Sequence, residues 1–408
     1  MNSTTLPYAP LLDQPACDPK QWLLDPDVVF LNHGAFGACP RRVLEFQSEW
    51  RTRMERQPLQ FLVRELETHL DEARARLAEF TGAAAEDLVF VNNATSGVNT
   101  VLRSLEFKPG DELLVTNQEY NASRNALDFV AERSGARVVV AQIPFPFRNA
   151  EELTAPVLAC VTPRTRLALL DHVTSQTGTV LPIGRLVSEL QHRGVDTLVD
   201  GAHAPGMVAL NLTQIGAAYY TGNCHKWLCA PKGAALLHVR RDRQKFIRPL
   251  TISHGANSVR KDRSRFLIEF GWPGTWDATA ALSVLEALRF MGSQLPGGWP
   301  ALMVRNRALA LAARKILCAT LQVQAPCPEE FISSLAAVPI PDARPDALPR
   351  LPAHEYPLQD TLRIKHGIEV PIMPWPAPPK RLLRISAQLY NSLPQYERLA
   401  RKLVAEMD

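Results

Sequence analysis

Thr197-Leu198-Val199-Asp200-Gly201-Ala202-His203 is followed by Asn223-Cys224-His225-Lys226-Trp227 and then by Ala230-Pro231-Lys232-Gly233. The first stretch is an apolar run that ends on an acid. The second places a lysine in a turn of small residues after the next apolar run. An acid closing one strand and a lysine in the turn after the next is what a pyridoxal phosphate site needs. The amine bonds covalently to the cofactor aldehyde, and the carboxylate keeps the pyridine nitrogen protonated so that the ring accepts electrons from a substrate carbanion. Either residue alone says little. An Asp after a strand is ordinarily a cap or turn residue, and a Lys in a turn is ordinarily solvated.

Outward from this stretch, short apolar runs alternate with helical patterns. The spacing predicts strands at 88–91, 112–116, 136–143, 166–171, 197–200, 217–221 and 234–239. Helical segments are expected at 96–105, 123–133, 150–161 and 183–193, after two opening helices at 40–56 and 61–80. This is the βαβ rhythm of a mostly parallel sheet covered on both faces. The last two strands are joined by a loop, which allows one antiparallel neighbour. The composition changes near Phe290, and Gly292 to Pro300 reads as a linker. A helix at 301–321, proline-rich loops at 326–357 and a final helix at 395–407 follow. The expected organisation is therefore an N-terminal arm (1–29), a large α/β domain (30–290) with a seven-stranded sheet, and a smaller C-terminal α+β domain (291–408).

The bulk properties are those of a globular enzyme. With 21% charged residues and a net charge of only +4, the chain has no basic field suited to nucleic acid. The run Arg260 to Arg265 is broken by Asp262 and reads as a solvated loop. No apolar run approaches the roughly 20 residues of a membrane span. The first residues lack the basic and apolar regions of a signal peptide. Seven scattered cysteines, an odd number without a CxxC pair, fit reduced thiols in the cytoplasm and argue against a zinc site.

Several other residues suit the same chemistry. Asn92-Asn93-Ala94-Thr95-Ser96-Gly97 follows a strand and opens a helix, where backbone N–H groups and the hydroxyls of Thr95 and Ser96 can hold a phosphate. The same groups would also cap the helix. Asn223 and His225 precede the lysine and can reach that phosphate. His203 lies in a loop expected to face the cofactor. Tyr120 follows a strand at the sheet edge where ligands bind, and can stack on the pyridine ring. Ser175 sits at the same edge. Arg384-Ile385-Ser386 is strand-like, and a bidentate Arg can hold a substrate carboxylate, but spacing alone does not separate Arg384 from Arg381 or Arg363.

Taken together, these residues resemble the class V aminotransferase group of fold-type I pyridoxal phosphate enzymes, and within it an isopenicillin N epimerase-like branch. The resemblance is carried by Leu31-Asn32-His33-Gly34-Ala35-Phe36-Gly37, Ala94-Thr95-Ser96, Glu119-Tyr120-Asn121-Ala122, His225-Lys226-Trp227, Gly274-Thr275-Trp276-Asp277 and Arg384 to Asn391. It implies roles residue by residue. Lys226 matches the lysine that bonds the cofactor, and Asp200 the partner of the ring nitrogen. His203 and Ser175 match ring-hydroxyl contacts; Thr95, Asn223 and His225 match phosphate contacts; Tyr120 matches the stacking aromatic. Thr275 matches a phosphate ligand given by the second subunit of a homodimer. Arg384 matches the substrate-carboxylate arginine, and Asn32 and His33 a loop lining the substrate side. Asn223 departs from the Ser of many relatives. The stretch His366 to Ile372 holds no Cys where the desulfurases of the group carry a nucleophile, which argues against persulfide-forming chemistry.

The resemblance implies a small amino-acid-type substrate. Three readings follow: an epimerase that removes and returns a Cα proton, a C–S lyase acting on a cysteine derivative or its sulfoxide, and a non-catalytic protein that keeps the fold.

Overall fold

The computed structural model describes residues 11–344 and 356–407. In chain order its strands are β1 (Val29–Phe30), β2 (Leu88–Val91), β3 (Glu112–Thr116), β4 (Arg137–Ala141), β5 (Thr165–Asp171), β6 (Asp196–Asp200), β7 (Tyr219–Asn223), β8 (Ala235–Val239), β9 (Leu335–Ile340), β10 (Ile368–Glu369), β11 (Ile372–Pro374) and β12 (Arg381–Ser386). Seven of them form one sheet in the order β2-β8-β7-β6-β5-β3-β4. Strands β4, β3, β5, β6 and β7 are mutually parallel. Strand β8 runs antiparallel to both its neighbours, β7 and β2, as the helix-free connection after β7 allows.

The apolar runs are continuous because the sheet is buried on both faces. Leu113, Val115, Leu167, Leu169, Leu198 and Leu237 point to one side. There they meet Val98, Val101 and Leu102 of the helix Ala94–Ser104, and Leu127 and Val130 of Asn121–Ser134. Leu114, Ala168, Leu170, Val199 and Leu236 point to the other side, against Leu77 of Leu66–Thr81 and Leu186 and Leu190 of Ile183–His192. The sheet is thus a middle layer whose carboxyl-end loops gather at one edge.

The smaller C-terminal domain has an antiparallel sheet, β11-β12-β9, with the helix Gly298–Leu321 against it and the helix Leu393–Met407 packed on that helix. Strand β1 pairs in parallel with β10, tying the N-terminal segment to this domain.

Three expectations are corrected. The linker is shorter than 292–300, because the long helix begins at Gly298 and takes Pro300 into its first turn, where no N–H is needed. The proline-rich stretch contains β9 and, at Pro357, the start of the helix Pro357–His366; residues 345–355 lie outside the described residues. The second opening helix starts with a π-helical turn, Gln60–Glu65, before the α-helix Leu66–Thr81. No helix among the described residues is long and apolar enough to cross a membrane.

Candidate active site

Asp200 is the last residue of β6. Its register partners are Asp171 on β5 and Thr221 on β7, so it stands at the carboxyl edge of the sheet. Ser123, in the first turn of the helix Asn121–Ser134, donates its hydroxyl to Oδ2 at 2.7 Å, and the Ala202 N–H donates to Oδ1 at 3.0 Å. Burial raises the Asp200 pKa, while Ser123 and the Ala202 N–H oppose the shift.

Lys226 sits in the turn between β7 and β8. The turn is closed by the Cys229 N–H on the Lys226 carbonyl at 3.1 Å and the Ala230 N–H on the Cys224 carbonyl at 3.0 Å, with Cys229 in the left-handed region at φ 59. His33 clasps the turn from outside. Its Nε2 donates to the Lys226 carbonyl at 3.0 Å, so its Nδ1 is the acceptor for the Tyr390 hydroxyl at 2.8 Å. Gly37 lies against the same turn at φ 70, where a Cβ would stand 2.2 Å from the His225 carbonyl oxygen and 2.9 Å from the Lys226 Cα. Lys232 Nζ donates to the Gly37 carbonyl at 2.8 Å. His33 is fully buried behind the lysine turn.

The Lys226 amine lies 3.1 Å from Nε2 of His203. Burial and, after it, the Arg384 guanidinium bring its pKa down to about 7, against the pull of Asp200 and Asp171. His203 is held well below the ordinary histidine range by burial and then by Lys226.

The strand β2 leads into the helix Ala94–Ser104. Asn93 is the N-cap and accepts from the Ser96 N–H at 2.8 Å and the Ser96 hydroxyl at 3.1 Å. Asn223 at the end of β7 accepts from the Ala94 N–H at 2.8 Å, which joins the lysine strand to this loop and leaves its Nδ2 as a donor. The N–H and hydroxyl of Thr95 bond to no described residue, so donors stay open at a helix N-terminus, as an anion requires. A Cβ on Gly97 would lie 2.1 Å from Thr221 Oγ1; its absence lets this helix press against β7. His225 places Nδ1 on the Ala234 carbonyl at 3.2 Å, and burial lowers its pKa to about 4. In that state its Nε2 is an acceptor, and an anion beside it would favour the protonated, donating form.

Tyr120 precedes the helix Asn121–Ser134 and is 43% exposed as a residue, at the edge of the sheet. Arg384, on the central strand β12 of the small sheet, is buried and donates to the Ser175 carbonyl; its Nε has no partner. Burial lowers its pKa to about 10, and Tyr120 opposes the shift. Arg381, an odd number of residues away on the same strand, instead donates to the Pro341 carbonyl and covers the Tyr356 ring. Arg363 is on an exposed helix beside Asp360. The geometry thus separates three arginines that spacing does not. Asn32 donates to Glu369 at 3.3 Å, and its Oδ1 is buried without a partner. Thr275 is exposed on a turn and has no hydrogen bond to Lys226, Asp200 or Arg384.

Residues not assigned a role from sequence also belong to the site. Ser123 and Trp227 hold Asp200 and His203 by contacts distant in sequence. Asp171 ends an apolar run on an acid, the same signal that marks Asp200, and Glu119 joins both.

These groups fit pyridoxal phosphate. An amine is held near neutrality, anion donors lie open at a helix N-terminus, a part-exposed tyrosine stands at the sheet edge, and buried carboxylate oxygens of Glu119 and Asp171 accept no hydrogen bond from a described residue. All seven cysteines are unpaired and buried or half-buried; Cys318 and Cys327 pack in the small domain.

A family model for class V aminotransferases matches residues 29–341. An isopenicillin N epimerase of Amycolatopsis lactamdurans is 35% identical over 94% of this chain and 96% of its own. One from Streptomyces clavuligerus is 33% identical over the same shares. A probable chloroplastic L-cysteine desulfhydrase of Arabidopsis thaliana is 32% identical over 92% of this chain and 82% of its own. Among solved structures, a cystine C–S lyase in complex with cysteine persulfide superposes with TM-score 0.75 at 20% identity, over 93% of this chain and 97% of that one. At that identity the likeness bears on fold alone. Family membership carries pyridoxal 5'-phosphate as the cofactor. The chain belongs to the class V aminotransferase family and is a pyridoxal phosphate-dependent enzyme of fold-type I.

Proposed function

We propose that this enzyme removes the Cα proton of an amino-acid-type substrate and returns it with inversion, as an epimerase. The observation that carries the reading is the Lys226 amine, held near neutral by burial and by Arg384 and set 3.1 Å from His203. An amine with a pKa of about 7 is matched to proton transfer near neutral pH. When bound, the cofactor supplies the electron sink that makes a Cα proton acidic. Arg384 orients the substrate carboxylate. Asp200 would hold a proton at the ring nitrogen. Thr95 and Asn223 Nδ2, with Ser96 and the Ala94 end of the helix beside them, would hold the phosphate, and Tyr120 would cover one face of the ring. His203 and Ser175 would serve the ring hydroxyl. Lys226 moves the Cα proton. The similarity to two isopenicillin N epimerases supports the reading.

A C–S lyase is the second reading. It is favoured by the similarity to an L-cysteine desulfhydrase and needs no catalytic thiol, in keeping with the buried cysteines. It shares the Cα step and differs in losing the β sulfur afterwards. The active unit we propose is a homodimer in which Thr275, exposed here, reaches the phosphate of the other copy.

Product analysis with L-amino acids and cysteine derivatives decides between the two. D-product without keto acid supports the epimerase. Keto acid with ammonia and a sulfur product supports the lyase and refutes the epimerase.

A further inference from the structure

Beside Asp200 lie two acids that the reading above leaves unused. Parallel register sets Asp171 of β5 next to Asp200 of β6, and the loop after β3 brings Glu119 to the same place. One carboxylate oxygen from each of the three lies within 4.8 Å of the other two. Glu119, Asp171 and Asp200 are 6%, 3% and 2% exposed, so water does not screen them. Their hydrogen bonds are unevenly shared. Asp200 accepts from the Ser123 hydroxyl and the Ala202 N–H. Neither oxygen of Glu119, nor Oδ2 of Asp171, accepts a hydrogen bond of ordinary geometry.

Few charges face this cluster. Lys226 acts on Asp171 and Asp200, and Arg124 and the Tyr120 N–H act on Glu119. Arg124 is itself held by both oxygens of Asp128, each at 3.0 Å. Three carboxylates this close, in a site this dry, cannot all be ionised. The acid that already has donors is the one that ionises, and those without donors keep protons.

We propose that Glu119 and Asp171 are positioning residues that each keep a proton at neutral pH, leaving Asp200 as the ionised acid opposite the ring nitrogen. This rests on Asp200 being the partner of that nitrogen. A protonated Glu119 or Asp171 can donate to its neighbour, which supplies the bond that the site otherwise lacks. The cluster then offers one negative charge to one ring cation, where three would repel each other and open the edge of the sheet. Burial and mutual repulsion push both carboxyls well above the ordinary range, in the same direction.

Infrared spectroscopy of the holoenzyme reads a protonated carboxyl directly. We expect such a band at neutral pH, and its loss when Glu119→Gln and Asp171→Asn are combined. Each amide copies the shape of a protonated acid, so the double variant should keep its fold and the visible band of the bound cofactor. In both wild type and double variant, the nitrogen-15 resonance of labelled cofactor should report a protonated ring nitrogen. Asp200→Asn should lose that proton. A wild-type holoenzyme without the infrared band overturns the proposal and needs no variant. So does a band that survives the double substitution, or a divalent ion that copurifies with wild type and is missing from the double variant. A ring nitrogen still protonated in Asp200→Asn refutes Asp200 as its partner, a failure separate from absence of the band.

Discussion

Nδ1 of His203 accepts the indole N–H of Trp227 at 3.4 Å, in the same chain turn that carries Lys226. Indole only donates, so this contact fixes the proton of neutral His203 on Nε2. That N–H faces the Lys226 amine 3.1 Å away, which must then accept and be uncharged. The lowered lysine pKa and the histidine tautomer are two sides of one arrangement. Trp227→Phe keeps the ring packing and removes the donor. Cofactor affinity should fall by up to about tenfold, the effect of one neutral hydrogen bond, and the nitrogen-15 shifts of His203 should show mixed tautomers.

The amine also leaves a mark on stability. Its folded pKa is about 7 against an ordinary 10.5, so between those values the unfolded chain binds a proton that the folded chain does not. Stability of the apoprotein gained from this group therefore rises with pH across that window, by at most about 1.4 kcal/mol per pH unit. Lys226→Met removes the slope. Urea midpoints of the two apoproteins, measured at several pH values in the window, should converge toward its upper end.

Gly37 is where the N-terminal clasp touches the lysine turn. Gly37→Ala puts a Cβ within 2.2 Å of the His225 carbonyl oxygen at a backbone angle that only glycine adopts easily. The backbone angle alone costs about 1–3 kcal/mol. We expect a lower melting temperature and a weakened visible band from the cofactor, because relief of the clash moves Lys226.

Much of this was legible in the sequence. The strands of the large sheet appear as apolar runs because both faces are buried, and Asp200 and Lys226 lie where those runs end. Strand β9 was not legible, since Pro339 and Pro341 read as loop. Among the described residues only β12 pairs with it, so a proline without an N–H is tolerated on its other side. The choice among Arg384, Arg381 and Arg363 needs the register of β12, which turns residues 381 and 384 to opposite faces. The contacts of Ser123, Glu119 and Trp227 join segments far apart in the chain, and no local pattern announces them.

That register gives a paired test. Arg384→Ala should lower kcat/KM by roughly a hundredfold, in line with about 3 kcal/mol for a buried charge contact to substrate. Arg381→Ala should lower the melting temperature and leave KM unchanged, because its guanidinium serves the Pro341 carbonyl and the Tyr356 ring.

Mixing inactive variants tests the proposed dimer. If Thr275 serves the site of the other copy, a Lys226→Ala and Thr275→Ala heterodimer contains one complete site. Random reassortment of the two inactive proteins should then restore about a quarter of the wild-type activity. No recovery, with heterodimers seen by mass, contradicts a shared site.

The role of Lys226 as the base is tested most directly by hydrogen exchange at Cα. In heavy water the holoenzyme should place deuterium at Cα of an L-amino acid that has no β leaving group, because such a substrate can only be reprotonated there. Lys226→Ala loaded with cofactor should bind the same substrate, with a spectral shift, and incorporate no deuterium. Cα exchange by that variant at the wild-type rate would contradict Lys226 as the group that moves the proton.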